Sequence, residues 1–207
     1  HTGDFKLDAT PFFGQRFDEQ VFKRAGEEGV LLLLSDSTNV ERHHPSHSEV
    51  DVYRSFDSLF AAAEGLTFVA MFSSNVARMA QVFDLAKRQG KRVALCGRSM
   101  EKNFDLACEA GYIRESAGQR IALDQIDRYD RKDVLVLTTG TQGEYRSALH
   151  RIAQGEHSLV DLREGDRVLM SSRWIPGNEK PVGRMINNLF KQGADVLYEA
   201  THMIHVS

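Results

Sequence analysis

Three features are scarce in this sequence, and each absence excludes a class of protein. The only cysteines are Cys96 and Cys108, which excludes a disulfide framework and a cysteine-based zinc site, so a reducing compartment, the cytoplasm, is expected. No apolar run approaches the roughly twenty residues of a membrane span, so no membrane contact is expected. The 26 basic and 29 acidic side chains give a net charge of −3, which argues against a basic tail or stripe that binds nucleic acid unaided, so any contact with a polyanion is expected in a local pocket.

From residue 66 onward the sequence repeats one pattern. An apolar run rich in β-branched residues is followed by a loop of small residues and then by apolar residues at helical spacing. The pattern predicts strands at residues 67–72, 92–96, 133–137, 167–170 and 194–198. Strands separated by single helices favour a Rossmann-like α/β fold, in which a parallel sheet carries helices on both faces.

Small and polar residues follow four of these predicted strands. The carboxyl ends of parallel strands meet at one edge of a sheet, where ligands bind, so these loops together with Arg78 and Arg98 indicate a site for a phosphate-bearing ligand. Helix capping explains the same residue types equally well, and both interpretations stay open. The loop residues are Ser73, Ser74, Asn75, Gly97, Ser99, Thr138, Thr139, Gly140, Thr141, Ser171 and Ser172.

The first forty residues have a less regular pattern. We predict a short helix at residues 18–26 and a fully apolar strand at residues 29–34. Asp36 follows that strand, where α/β proteins collect functional groups, although a carboxylate there also suits an N-cap. The polar residues 41–48 predict a crossover between domains, and the histidines at 43, 44 and 47 are expected to be hydrated rather than to bind a metal.

Seven short segments are spread in order along the whole chain. They are residues 1–11 (HTGDFKLDATP), 33–39 (LLSDSTN), 72–76 (FSSNV), 96–100 (CGRSM), 137–144 (LTTGTQGE), 175–179 (IPGNE) and 204–207 (IHVS). Together they resemble the ribonuclease J family, which belongs to the β-CASP group of metallo-β-lactamase-fold nucleases. The resemblance implies a metal-dependent RNA hydrolase.

The resemblance also implies roles for individual residues. In that family two zinc ions are held by a His-x-His-x-Asp-His segment, a further histidine and a bridging aspartate, which Asp4 matches as a metal ligand. Asp36 matches an acidic residue at the edge of the metal site and is the predicted catalytic residue. The residues expected to contact the RNA backbone or its 5′ phosphate are Ser73, Ser74, Asn75, His205 and Ser207.

The chain has no His-x-His-x-Asp-His segment, so the resemblance predicts a part of a longer enzyme. Residues 1–40 are expected to belong to the metallo-β-lactamase-like domain, 41–200 to form the β-CASP domain, and 201–207 to return to the first domain. The longer protein is expected to be a homo-oligomer with two zinc ions. This chain alone is expected to be a monomer that binds no zinc and is inactive.

Three functions remain open at this point. The leading one is a 5′-to-3′ exonuclease and endonuclease of RNA processing and decay, in proportions that the sequence does not separate. The second is a β-CASP endonuclease that acts on other RNA or on DNA. The third is a non-catalytic, Rossmann-like module that binds nucleotides or RNA.

Overall fold

The computed structural model describes residues 1–41, 43 and 46–206. Its centre is a six-stranded sheet in the order β3-β2-β4-β1-β5-β6, in which every pair of neighbouring strands is parallel. The predicted parallel α/β fold is therefore confirmed. The strands are β1 (Thr67–Ala70), β2 (Arg92–Cys96), β3 (Arg120–Ile121), β4 (Val134–Thr138), β5 (Arg167–Met170) and β6 (Asp195–Tyr198).

Helices cover both faces of this sheet. They are α1 (Glu19–Glu28), α2 (Glu49–Ala61), α3 (Val76–Arg88), α4 (Arg98–Glu109), α5 (Ala148–Gln154) and α6 (Glu179–Lys191), with two short 3-10 turns before β4. Side chains of α5 and α6 form the apolar core on one face. Side chains of α2, α3 and α4 form the core on the other face. Every residue of β4 is buried, and this two-sided burial is why the strands read as continuous apolar runs.

The placement of α4 and α5 opens a crevice at the carboxyl edge of the sheet. Strands β2 and β4 are neighbours, but α4 follows β2 onto one face and α5 follows β4 onto the opposite face. The two connecting loops therefore diverge, as they do at the switch points where doubly wound sheets bind ligands.

Helix α2 was not predicted from the sequence. Ser48 and Asp51 form a capping box at the start of this helix. The Asp51 carboxylate accepts a hydrogen bond from the Ser48 N–H, and the Ser48 hydroxyl accepts one from the backbone of the first helical turn. Val52, Phe56 and Phe60 follow at helical spacing and are fully buried against the sheet. These signals lie just after the polar crossover, whose composition obscured the start of the helix.

The predicted strand at residues 29–34 is wrong. Within the described residues this segment belongs to no strand, and its five apolar side chains from Val30 to Leu34 are all exposed, with Leu31 completely so. Backbone hydrogen bonds hold both of its ends, because the Gly29 N–H donates to the Gly26 carbonyl at 3.2 Å and the Thr2 N–H donates to the Leu34 carbonyl at 3.0 Å. An apolar run becomes a buried strand only when neighbouring strands and helices cover it, and the described residues supply no such cover.

The helix predicted nearby is confirmed as α1, which begins after Asp18, whose side chain accepts a hydrogen bond from the Gln20 N–H at 3.0 Å. Leu106 of α4 and Phe190 of α6 match the apolar spacing of their helices, but both side chains are about half exposed. No helix in the described part of the chain is both long enough and apolar enough to cross a membrane.

Candidate functional site

The loops after β1, β2, β4 and β5 leave the sheet at one level. Ala70, the last residue of β1, is paired with Thr138 of β4 and with Met170 of β5. Cys96, the last residue of β2, is also paired with Thr138. The predicted gathering of four polar loops at the carboxyl edge is therefore confirmed.

The loop after β1 carries Ser73, Ser74 and Asn75. The Asn103 amide of α4 donates hydrogen bonds to the Ser73 carbonyl at 2.9 Å and to its hydroxyl at 3.1 Å. Asn75 caps α3, because its side-chain oxygen accepts a hydrogen bond from the Arg78 N–H at 3.0 Å. Ser74 is exposed. Ser73 and Asn75 thus hold the loop in place, while the Ser74 hydroxyl faces solvent.

The loop after β4 is built around a buried glutamine. Gln142 donates to the Arg173 carbonyl at 2.9 Å and accepts from the Ile175 N–H at 2.8 Å, so it fastens this loop to the one after β5. Gly140 has a φ of +114°, and a Cβ there would lie 2.3 Å from the Ser147 hydroxyl. Because the side chains of Thr138, Thr141 and Gln142 are buried, the packing interpretation holds for these three residues.

Arg78 is buried rather than available to a ligand, which corrects its predicted place in a phosphate site. Its guanidinium is fully buried and pairs with the Glu49 carboxylate of α2 at 2.7 Å. It also donates to the Ile204 carbonyl at 2.9 Å and to the Ser171 hydroxyl. Ser171 in turn donates to the Ile204 carbonyl at 2.6 Å. Arg78 therefore joins α2, α3, the end of β5 and the segment that contains His205.

Burial lowers the pKa of the Arg78 guanidinium, and the Glu49 carboxylate opposes that shift. The ring of Phe56 lies under the guanidinium, with its centroid 5.7 Å away. A buried cation with a carboxylate partner and a carbonyl acceptor holds its neighbours in one arrangement, because losing either partner leaves an uncompensated charge.

His205 follows directly on this network. It is half-buried, and its Nδ1 atom has no hydrogen-bond partner in the described residues. Burial lowers the pKa of the imidazole to about 4, and the neighbouring Arg78 and Lys6 cations act in the same direction. His205 is therefore neutral at pH 7, where it serves as a hydrogen-bonding group and not as a cation.

Around Glu49 lie several buried polar atoms that have no hydrogen-bond partner in the described part of the chain. Besides His205 Nδ1 they include Lys6 Nζ, Arg78 Nε and Gln81 Oε1. Gln81 donates to the Glu49 carboxylate at 3.2 Å, and burial lowers the pKa of Lys6 against the opposing effect of Glu49. Groups of this kind are satisfied by water or by a polar ligand in folded proteins.

Asp4 and Asp36 line one open depression of about 640 Å³. The Asp36 carboxylate accepts hydrogen bonds from the Thr38 N–H at 2.9 Å and the Thr38 hydroxyl at 2.7 Å, and these bonds lower its pKa. Asp36 therefore caps a turn. Its own N–H donates to the Thr2 hydroxyl at 3.1 Å, which brings the two chain segments together. Asp4 is exposed.

The N-terminal segment is fixed against α2. The Asp8 carboxylate accepts a hydrogen bond from the Glu49 N–H at 3.0 Å, and the Ser48 hydroxyl donates to the Thr10 carbonyl at 2.7 Å. The segment that carries Asp4 is therefore anchored at the start of α2, the helix that carries Glu49. The predicted residue Ser207 lies outside the described residues.

Comparison with known proteins decides the family. Residues 64–189 match the family model described as ribonuclease J, beta-CASP domain. The chain belongs to the ribonuclease J family. All 207 residues align with proteins named Ribonuclease J, at 42% identity in Helicobacter pylori strain B128, 41% in Thermus thermophilus and 42% in Mycolicibacterium smegmatis. The chain covers 30%, 36% and 37% of those three proteins, so it spans about a third of their length.

The ribonuclease J family implies a metal, and the described residues alone do not fit one. They contain no group of three or more histidine, cysteine, aspartate or glutamate side chains that could hold an ion. Asp4 and Asp36 share a depression, but a zinc ion needs about four ligands. The two carboxylates are at most part of a ligand set.

Several residues important in this ribonuclease J chain were not found from the sequence. Glu49 was missed together with α2, although the Ser-x-x-Asp capping box before an apolar run was a usable signal. No sequence pattern around Lys6 or Gln81 indicates a role in a site, because only the folded chain brings these side chains beside Glu49. Gln142 belongs to the segment 137–144, but nothing in the neighbouring sequence predicts that its side chain links two loops.

Proposed function

We propose that the protein to which this chain belongs is a metal-dependent ribonuclease that hydrolyses RNA phosphodiesters and degrades RNA from 5′-monophosphorylated ends. The observation that carries this proposal is the alignment of all 207 residues, at 41–42% identity, with proteins named Ribonuclease J. The polar carboxyl edge of the sheet supports it, because an edge with exposed hydroxyls and neutral hydrogen-bonding groups suits a phosphate backbone.

The proposed contribution of this chain is contact with RNA. Ser73 is fixed by Asn103, and the neighbouring Ser74 hydroxyl is exposed and can donate to a phosphate oxygen. Neutral His205 lies beside the Arg78 network and can donate one ring N–H to the 5′ phosphate. Asn75 holds this loop as the α3 cap, and Ser207 is a further proposed phosphate contact.

The proposed role of Asp4 is to provide one carboxylate ligand for two zinc ions, whose other ligands come from residues outside this chain. Asp36 lies in the same depression, where its hydrogen bonds with Thr38 keep its carboxylate ionised and oriented. It is proposed to act at the edge of the metal site. Because the described residues form no complete ligand set, the 207-residue chain alone is proposed to be inactive.

RNA hydrolysis by the full-length protein tests this assignment. Wild type is compared with Asp4→Asn and with Asp130→Asn, each assayed with and without a chelator. Asp130 is the matched control, because it is an exposed aspartate that precedes β4 at the opposite edge of the sheet. The expected result is chelator-sensitive hydrolysis that falls at least about a hundredfold in Asp4→Asn, as loss of a metal ligand requires.

The control variant is expected to retain wild-type activity and chelator sensitivity. Hydrolysis that survives chelation, or an Asp4→Asn variant that is as active as Asp130→Asn, contradicts the proposed metal-dependent role of Asp4. Absence of RNA hydrolysis in the wild type with added divalent metal contradicts the ribonuclease proposal itself.

A further inference from the structure

We propose that the crevice between the β2–α4 and β4–α5 loops binds a nucleotide unit, through its phosphate and its base. This depression has a volume of about 950 Å³, within the range of sites that bind small organic ligands. It lies where the two loops diverge to opposite faces of the sheet, the usual ligand position in doubly wound folds. The residues that carry the proposal are Arg98, Tyr145, Arg146, His150 and Arg151.

The charge of the crevice comes from three exposed arginines. No hydrogen bond or ion pair of the Arg98, Arg146 or Arg151 guanidinium groups with a carboxylate occurs within the described residues. By contrast, the guanidinium groups of Arg120, Arg131, Arg163 and Arg167 all pair with carboxylates. Two glutamates also line the crevice, so its side chains keep one net positive charge in a chain whose net charge is −3. Unpaired guanidinium groups are suited to bidentate contacts with phosphate oxygens.

The start of α4 adds backbone donors to the same wall. The helix begins after Gly97, and no side chain caps its first turn. Gly97 has a φ of +121°, and a Cβ there would lie 3.1 Å from the Thr139 hydroxyl, so glycine keeps the two loops close. The uncapped N–H groups and the helix dipole favour an anion beside Arg98.

Tyr145 supplies a surface on which a base can stack. Its side chain is 76% exposed, although aromatic rings of this size are usually covered. The Arg146 guanidinium lies 5.4 Å from the Tyr145 ring centroid, and the His150 ring meets the tyrosine edge-on at 5.5 Å. An exposed aromatic ring among cationic side chains is the arrangement that binds single-stranded nucleic acids by stacking and charge.

The backbone of Arg146 is also unusual. Its φ is +66°, in the left-handed region that side chains other than glycine rarely adopt. A hydrogen bond of 3.1 Å from the Ser147 N–H to the Glu144 carbonyl closes the turn around it. A conformation of this kind persists only where the surrounding structure fixes it, and such positions concentrate at ligand sites.

The chemistry of the crevice is binding and not covalent reaction. The buried Cys96 thiol lies 3.4 Å from the ring of His157, which lines the crevice. Burial raises the pKa of Cys96 to about 11, and burial together with Arg151 lowers the pKa of His157. The thiol is therefore protonated at pH 7, where it is a poor nucleophile.

The nucleotide unit has two possible sources, a free mononucleotide or a nucleotide within an RNA strand, and only the second rests on the proposed ribonuclease function. Equilibrium binding to the full-length protein distinguishes them. The probes are adenosine 5′-monophosphate and a short 5′-hydroxyl oligouridylate, both measured in the presence of a chelator so that RNA stays intact. The variants are Arg98→Ala/Arg151→Ala, Tyr145→Ala and Tyr145→Phe, with Arg114→Ala as the charge-matched control.

Arg114 is exposed and lies before β3, at the opposite edge of the sheet. The expected result is binding about tenfold or more weaker in the double arginine variant and in Tyr145→Ala, for at least one probe. Tyr145→Phe keeps the stacking ring and is expected to bind like wild type, as is Arg114→Ala. A change for the mononucleotide alone identifies free nucleotide as the ligand, and a change for the oligonucleotide identifies RNA.

The proposal is overturned if neither probe binds the wild type, or if both bind the double arginine variant as tightly as Arg114→Ala. Because these measurements are made without hydrolysis, they are independent of the ribonuclease assay. If the wild type hydrolyses RNA but all variants bind both probes equally well, the proposed nucleotide site in the crevice is refuted and the proposed ribonuclease function is not. If the crevice variants weaken mononucleotide binding but the wild type hydrolyses no RNA, the proposed ribonuclease function is refuted and the nucleotide site is not.

Discussion

Replacing Arg78 with methionine is the substitution with the sharpest expected effect. Methionine keeps much of the apolar volume over Phe56 but removes the charge and all the donors. The Glu49 carboxylate, whose side chain is 21% exposed, then loses its ion pair with Arg78, and the Ile204 carbonyl loses a donor at 2.9 Å. Removing one partner of a buried ion pair costs about 3–5 kcal/mol, which is a large fraction of the stability of a domain of this size.

Urea unfolding of the 207-residue chain measures this cost. Arg78→Met is compared with Glu49→Gln, with the double variant and with Arg88→Met, which changes an exposed arginine of the same helix. The double variant is expected to lose less stability than the sum of the two single variants, because each single change leaves the other group unpaired. The coupling should be at least about 1 kcal/mol.

The same substitution has a functional readout. Arg78 and Ser171 both hold the Ile204 carbonyl, so releasing them frees the segment that carries His205. In the full-length protein, Arg78→Met is therefore expected to weaken the proposed preference for 5′-monophosphorylated RNA more than the overall hydrolysis rate. The reasoning is refuted if Arg78→Met unfolds at the same urea concentration as Arg88→Met, or if the effects of Arg78→Met and Glu49→Gln are additive.

Three further predictions follow from single side chains. Gln142→Ala is expected to lower the free energy of unfolding by about 1–3 kcal/mol, since it leaves buried groups of two loops unpaired, whereas the exposed Gln154→Ala should change it little in the same urea titration. Alkylation by iodoacetamide at pH 8, followed by mass spectrometry, should modify half-buried Cys108 before Cys96, whose pKa is raised to about 11; the reverse order contradicts the burial of Cys96. Folding lowers the pKa of His205 from 6.5 to about 4, so the unfolded state takes up the proton first and the free energy of unfolding falls as the pH drops from 6.5 to 4. His205→Asn should reduce that fall in urea titrations over this pH range. A pH profile identical to that of the wild type contradicts the lowered pKa of His205.

The sheet was predictable because its strands are covered on both faces. A strand such as β4, buried at every position, must be apolar throughout, and its helices must carry apolar residues on one side only. The same logic failed at residues 29–34, where the apolar content indicates a need for cover but not which residues provide it. The side chains from Val30 to Leu34 are exposed, so the described residues do not cover this segment.

The candidate site was predictable in its location but not in its contacts. Register between parallel strands brings the loop residues to one edge, so Ser73 and Ser74 lie where the pattern predicts them. Arg78 has the charge expected of a phosphate ligand, but its partners Ser171 and Ile204 are 93 and 126 positions away in sequence. Contacts over such separations depend on the whole fold, and no local pattern distinguishes a buried arginine from an exposed one.

Degradation of two RNAs that differ only at the 5′ end tests the central claim most directly. The full-length protein is given 5′-monophosphate and 5′-hydroxyl forms of one sequence, with divalent metal and then with a chelator, beside the 207-residue chain. The account predicts chelator-sensitive release of mononucleotides, faster from the 5′-monophosphate RNA, and no release by the 207-residue chain. Equal rates on the two RNAs together with cleavage that persists in chelator, or RNA hydrolysis by the 207-residue chain itself, contradict it.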